Sequence, residues 1–124
     1  MLHNRLTATN VAILIVLNAF YYADEKQKVV SRYKLTRKSF KILSRRKSLH
    51  LSFVSEVTQE LQELGWQLIE DGDGNFCFFD LDMTTNWARL SVKRVSELRD
   101  QDEEANLEIL NEWLTSEYVD DSND

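Results

Sequence analysis

The apolar positions of this chain fall into runs with different periods, and each run predicts a different element. Val11, Ile13, Leu14, Ile15, Val16, Leu17, Phe20 and Tyr21 cover almost the whole circumference of a helix that Thr7 or Thr9 can cap and that ends near Asp24. A helix apolar all round has to be buried on most sides, so it is expected at the centre of the domain, covered by the other helices and by a second subunit. Lys26 to Lys34 is a polar connector in which Val29, Val30 and Tyr33 either continue that helix or form a short strand. Next, Thr36 can cap a helix running to about Arg46, with Leu35 packed on Phe40 as a hydrophobic staple and Phe40 and Leu43 turned inward. Ser48 is the expected cap of a further helix whose stripe is Leu49, Phe53, Val57, Leu61 and Leu64, and Gly65 ends it. Trp66 to Glu70 and Asn75 to Asp80 flank Asp71-Gly72-Asp73-Gly74, a turn rich in residues that accept positive φ, which predicts a hairpin. Phe76, Phe78 and Phe79, with Trp66, Leu68 and Leu81, give both of its faces apolar groups.

Beyond the hairpin, Thr84-Thr85-Asn86-Trp87 is expected to cap a short helix that includes Leu90, with the basic pair Lys93 and Arg94 after it. From about Asp102 to Tyr118 a last helix carries Leu107, Leu110, Leu114 and Tyr118 on one stripe, Trp113 beside them and acids opposite. Val119 to Asp124 reads as a frayed acidic tail. With no proline and three glycines, few breaks are enforced, and 124 residues suffice for one core. The expectation is a mostly α (α+β) fold, one domain over residues 1–118 with a tail at 119–124. The all-round first helix and striped last helix offer more apolar surface than such a chain covers by itself, which predicts a homodimer.

Helix, sharp turn, helix and hairpin in this order, over Leu35 to Leu81, resemble the winged helix-turn-helix superfamily of nucleic-acid-binding domains. The resemblance is one of pattern and covers the middle third to half of the chain. It implies that the second of the two helices lies in the DNA major groove and that the hairpin is a wing.

Charge changes the picture more than composition does. The net charge of −6 conceals a separation: up to His50 eleven Lys and Arg face two acids, a net of +9, whereas from Leu51 onward four face nineteen, a net of −15. Arg37, Lys38, Lys41, Arg45, Arg46 and Lys47 are therefore the candidate phosphate contacts, next to the amino end of the second helix. Ser48, His50, Ser52, Ser55 and Gln59 are the candidate base contacts, being short or neutral hydrogen-bonding side chains. Both sets also have a plainer reading as solvated faces. Glu56, Glu60 and Glu63 on the same helix, and Glu70, Asp71 and Asp73 in the hairpin, would be repelled by phosphate, so the hairpin is expected to lie off the DNA.

Other chemistries find little support. No glycine-rich phosphate loop, acid/base pair or nucleophile motif occurs, so no enzyme and no cofactor are expected. His3 and His50 have no carboxylates at metal-ligand spacing. Asp71-Gly-Asp73-Gly-Asn75 echoes the start of a calcium loop, but Phe76 stands at the position of its glycine and Asp82 at that of its closing glutamate, so no metal is expected. Cys77, the single cysteine, is expected to be a small packing residue in a reducing compartment. The run Val11 to Ala23 is too short for a membrane span and contains Asn18, and no cleavage site follows it, so the expected location is cytoplasmic. Two functions remain: a small DNA-binding transcriptional regulator of bacterial or mobile-element type, or an acidic protein-protein interaction module, an inhibitor or adaptor, on the same scaffold.

Overall fold

The computed structural model describes residues 4–122, with side chains through 116. Helix makes up 59% of the protein, accompanied by a small three-stranded antiparallel sheet, so the fold is mostly helical α+β with a β-hairpin. The order is α1 (Ala8–Lys26), β1 (Arg32–Leu35), α2 (Arg37–Ser44), α3 (Leu51–Glu63), β2 (Trp66–Glu70) and β3 (Phe76–Asp80). A 3-10 helix (Leu81–Asn86), a 3-10 turn (Lys93–Val95), α4 (Ser96–Arg99) and α5 (Glu103–Ser122) follow. Contacts gather the chain into two compact units, Met1–Trp87 and Ala88–Asp124.

In the first unit the expected signals place the helices. Thr7 accepts from the Asn10 N–H and starts α1, and Thr36 accepts from the Ser39 N–H and starts α2. Gln27 and Arg45 end these helices in left-handed conformation, each feeding its N–H back to the preceding turn. Gly65, at φ 84°, follows α3 where a side chain would be strained, and Gly74, also at φ 84°, closes the hairpin turn. Within that turn the Asp71 N–H donates to the Asn75 carbonyl (3.0 Å), while Asp71 Oδ1 accepts from the N–H groups of Asp73 and Asn75 (2.9 Å each). The Asp71 carboxylate is thus consumed by the turn.

The connector between α1 and α2, left open by its sequence, contains a strand. The sheet order is β1-β3-β2, with Tyr33 opposite Phe78 and Leu68 opposite Phe78 on the other side. This register sends Tyr33, Leu35, Trp66, Leu68, Phe76 and Phe78 toward the helices, since alternate strand residues share a face. There Phe40 stacks on Phe76 at 4.5 Å between centroids and reaches Phe53 and Phe78 at 6.4 Å each. Val11, Ala12, Ile15 and Ala19 of α1 and Phe53, Val57 and Leu61 of α3 complete the core. The Tyr33 phenol donates to the Ile15 carbonyl (2.6 Å), tying β1 to α1, and burial pushes its pKa up to about 12. On the opposite sheet face Cys77 is half-buried, and Phe79 packs at 6.1 Å from Trp87.

Four expectations are corrected. α1 is buried on one face only; Phe20 and Tyr21 are 58% and 67% exposed, because the sheet and α3 meet a single side of it. Leu64 is exposed, because it stands at the C-cap, past the last turn that faces α1. Ser48 does not cap α3: the helix starts later, with His50 at the cap position and no side-chain bond to the first turn. Thr84 to Trp87 does not open a helix; Asp80 caps the 3-10 helix upstream, which stops before Trp87, and Leu90 lies in irregular chain.

In the second unit Asp102 Oδ1 accepts from the Ala105 N–H and starts α5, and Asn106 Nδ2 donates to the Leu98 carbonyl (3.0 Å). No residue between 88 and 116 is buried. The helix continues through Ser122, over backbone expected to be a frayed tail; the side chain of Tyr118, residues 123–124 and His3 lie outside what is described.

Candidate nucleic-acid interface

At 3.6 residues per turn, Arg37, Lys38 and Lys41 fall within about 100° of arc on α2, and Arg45 follows at its left-handed C-cap. The buried side chains Phe40 and Ser44 flank this arc on the Arg37 side. Arg37, Lys38 and Arg45 are exposed and Lys41 half-exposed, so the fold presents them as one cationic stripe. The Arg37 guanidinium also sits over the Phe76 ring at 5.2 Å, a cation-π contact that ties this end of the stripe to the sheet.

The corner after α2 separates the three basic residues that its sequence placed together. Arg45 takes the left-handed cap and points outward, and Lys47 is exposed. Arg46 turns in: its guanidinium lies 3.5 Å from the Phe53 ring centroid, and its Nη2 donates to the Leu6 carbonyl (2.9 Å). The Leu6 N–H in turn donates to the Ser44 carbonyl (3.1 Å), and the Ser44 hydroxyl donates to the Phe40 carbonyl (2.8 Å). Arg46 is therefore a clasp that binds the amino-terminal arm to the end of α2 and the start of α3. Desolvation pulls its pKa down, with the neighbouring charge of Arg5 acting the same way, although a guanidinium stays protonated regardless.

On α3, Ser52, Ser55 and Gln59 are exposed and lie within about 60° of arc at the same helical period, with Ser48 and His50 exposed ahead of them. Because His50 makes no capping bond, no side chain satisfies the N–H groups of the first turn of α3. Leu51 opens this face at 85% exposure. It went unnoticed in the sequence because it stands two residues before Phe53 and so off the stripe; that offset, in an otherwise regular pattern, is the signal that marks it. The hairpin turn is a different electrostatic object. Hydrogen bonds, chiefly from the Asn75 backbone, hold the Asp71 carboxyl down at about 2, and Lys34 reaches it at 3.4 Å.

Among the described residues no group of three or more His, Cys, Asp or Glu is placed to hold a metal ion, and no helix is long and apolar enough to cross a membrane. Compared with protein-family models, curated proteins and solved structures, the chain finds no match in any of the three.

Proposed function

We propose that the protein is a winged helix-turn-helix DNA-binding protein of the transcriptional-regulator type, acting in the cytoplasm, which meets phosphates with α2 and the following corner and base edges with the first two turns of α3. The observation that carries this reading is the cationic surface of Arg37, Lys38 and the half-exposed Lys41 on α2, continued by Arg45 at its cap, immediately before a helix whose first turn is uncapped and free of charged side chains. The order α1-β1-α2-α3-β2-β3 with strand order β1-β3-β2 supports it, being a helix-turn-helix followed by a wing. In this arrangement His50, Ser52 and Ser55 offer hydrogen bonds to base edges and Leu51 an apolar contact to a thymine methyl, while Gln59 stands in the third turn, outside this set. Arg46 is withdrawn from the phosphate set by its clasp. Glu56 and Glu63 border the same face, so the duplex meets the amino-terminal half of α3 and lies away from Asp71 and Asp73.

The test is binding of the full chain to random-sequence duplex as salt rises from about 50 to 200 mM. Five remaining cations predict a slope of log K against log salt no steeper than roughly −4 to −5 per subunit. Arg45→Glu combined with Lys47→Glu should weaken all sequences together by at least about tenfold. His50→Ala or Leu51→Ala should chiefly reduce discrimination between sites. No binding at low salt, or undiminished binding by the doubly reversed variant, overturns the reading.

One observation favours a second reading, the acidic interaction module. α5 contains no Lys or Arg, and its Leu107, Leu110, Trp113 and Leu114 are all exposed beside Glu104, Glu108 and Glu112. An acidic helix that exposes apolar side chains suits an apolar groove with a basic rim on another protein. Flow-through on heparin at low salt, with no shift of duplex DNA, selects it over the first reading.

A further inference from the structure

α1 carries no charged side chain from Ala8 to Ala23, and only one of its faces is used by the core. Opposite Val11, Ile15 and Ala19 stand Ile13, Leu17, Phe20 and Tyr21, of which Ile13 is 41%, Phe20 58% and Tyr21 67% exposed. Beside this strip, where α1 runs next to α2, a groove of about 340 Å³ is lined by Leu14, Leu17, Tyr21, Leu35, Ile42 and Leu43, and Ile42 at its edge is 67% exposed. A projecting aromatic and an apolar groove on the same uncharged face are the two halves of an isologous contact, in which each copy supplies the knob and the hole.

We propose that this face is the interface with a second copy of the chain, the two α1 helices packing antiparallel about a two-fold axis at Leu17. Such packing sets Ile13 against the partner's Tyr21 and directs Phe20 toward the partner's groove at Leu14. It brings Asp24, on the same outward stripe, to the partner's α1 amino end, where the helix dipole favours a carboxylate. Parallel packing instead sets the two Asp24 carboxylates side by side. The exposed parts of Ile13, Phe20, Tyr21 and Ile42 come to roughly 470 Å² per copy at about 200 Å² per large side chain. Doubled by symmetry and extended by the flanking atoms of Asn10, Leu14 and Leu17, this approaches the lower bound of about 1,200 Å² for a stable interface. The absence of charge also argues against a partner of opposite charge at this face, in contrast to α5, whose uniform acidity would make self-pairing repulsive.

Sedimentation of the full chain across the micromolar range tests the proposal by mass, independently of any DNA binding. The expected result is a dimer whose dissociation constant rises at least about tenfold in Phe20→Glu and again in Ile13→Glu, with the far-UV spectrum and melting cooperativity unchanged. Leu110→Glu in α5 should leave the dimer intact. In a Cys77→Ser background, Leu17→Cys should form an intermolecular disulfide on mild oxidation, and an equimolar mixture of Ile13→Cys and Tyr21→Cys should crosslink better than either alone. These crosslinks keep the proposal testable where a charged variant fails to fold. A monomer throughout the range, a dimer indifferent to Phe20→Glu, or one abolished by Leu110→Glu overturns the proposal.

Discussion

The unit up to Trp87 and the unit after it are both rich in helix and both contain leucines and aromatics at helical spacing, yet they hold together on different terms. The first buries twelve apolar residues around Phe40, contributed by three helices and a sheet. In the second no residue between 88 and 116 is buried; Leu90 is 72% exposed, Val92 67% and Trp113 64%. A helix can persist without a core when local terms favour it, and α5 has them: an Asp102 cap and two glutamates in its first turn, where the helix dipole favours acids. Such terms contribute a few tenths of a kcal/mol to about 1 kcal/mol each, whereas one fully buried large side chain contributes about 1.5 to 3 kcal/mol. Periodicity alone therefore predicts a helix but does not establish that it is covered.

The sharpest way to break this contrast is a pair of truncations of similar size. Phe40→Ala should lower the stability of the cooperative unit by about 3 to 5 kcal/mol, through lost stacking on Phe76 and a cavity at the core. Leu110→Ala should change it by less than about 0.5 kcal/mol. Equal effects on the urea midpoint would mean that the second unit shares the core of the first. Arg46→Ala comes next, at about 1 to 3 kcal/mol for a charge-assisted hydrogen bond to Leu6 and a cation on Phe53. Lys47→Ala, one residue on and exposed, should be close to neutral in the same melt, which separates the clasp from the solvent-facing part of the corner. Tyr33→Phe should cost about 1 kcal/mol at neutral pH by removing the bond to Ile15.

The same tyrosine should set the alkaline limb of stability. Burial raises the Tyr33 phenol to about 12. The unfolded chain releases that proton near pH 10, so the contribution is complete below about 10 and is lost as pH rises from there through 12. Tyr33→Phe should flatten this limb. The smallest effect is expected at Asp71, where the shift runs the other way. Its folded value of about 2 lies below the unfolded value near 3.9, so the contribution is present above about pH 4 and lost as pH falls toward 2. Asp71→Asn should weaken the acid dependence of the melt; an unaltered acid limb would show that the turn bonds do not discriminate between the charged and neutral carboxyl.

Local signals in the sequence determined the helices of the first unit and its hairpin, because the deciding interactions lie within a few residues of one another. Thr7 and Thr36 bond the N–H three residues on, Gly65 and Gly74 take conformations that side chains resist, and Phe53, Val57 and Leu61 recur with the helix period. β1 was not decided this way: four residues with two apolar positions hold no period, and the strand exists because β3, more than forty residues later, supplies its ladder. Nor was the face that α1 leaves uncovered, since a helix apolar all round says nothing about how many neighbours it will find. The candidate interface divides along the same line. The stripe of Arg37, Lys38 and Lys41 was legible because α2 places them by its own period, and Arg45 extends it from the cap. The inward turn of Arg46 was not, because it depends on where Leu6, Ser44 and Phe53 stand in space, and only the packed chain brings those three together.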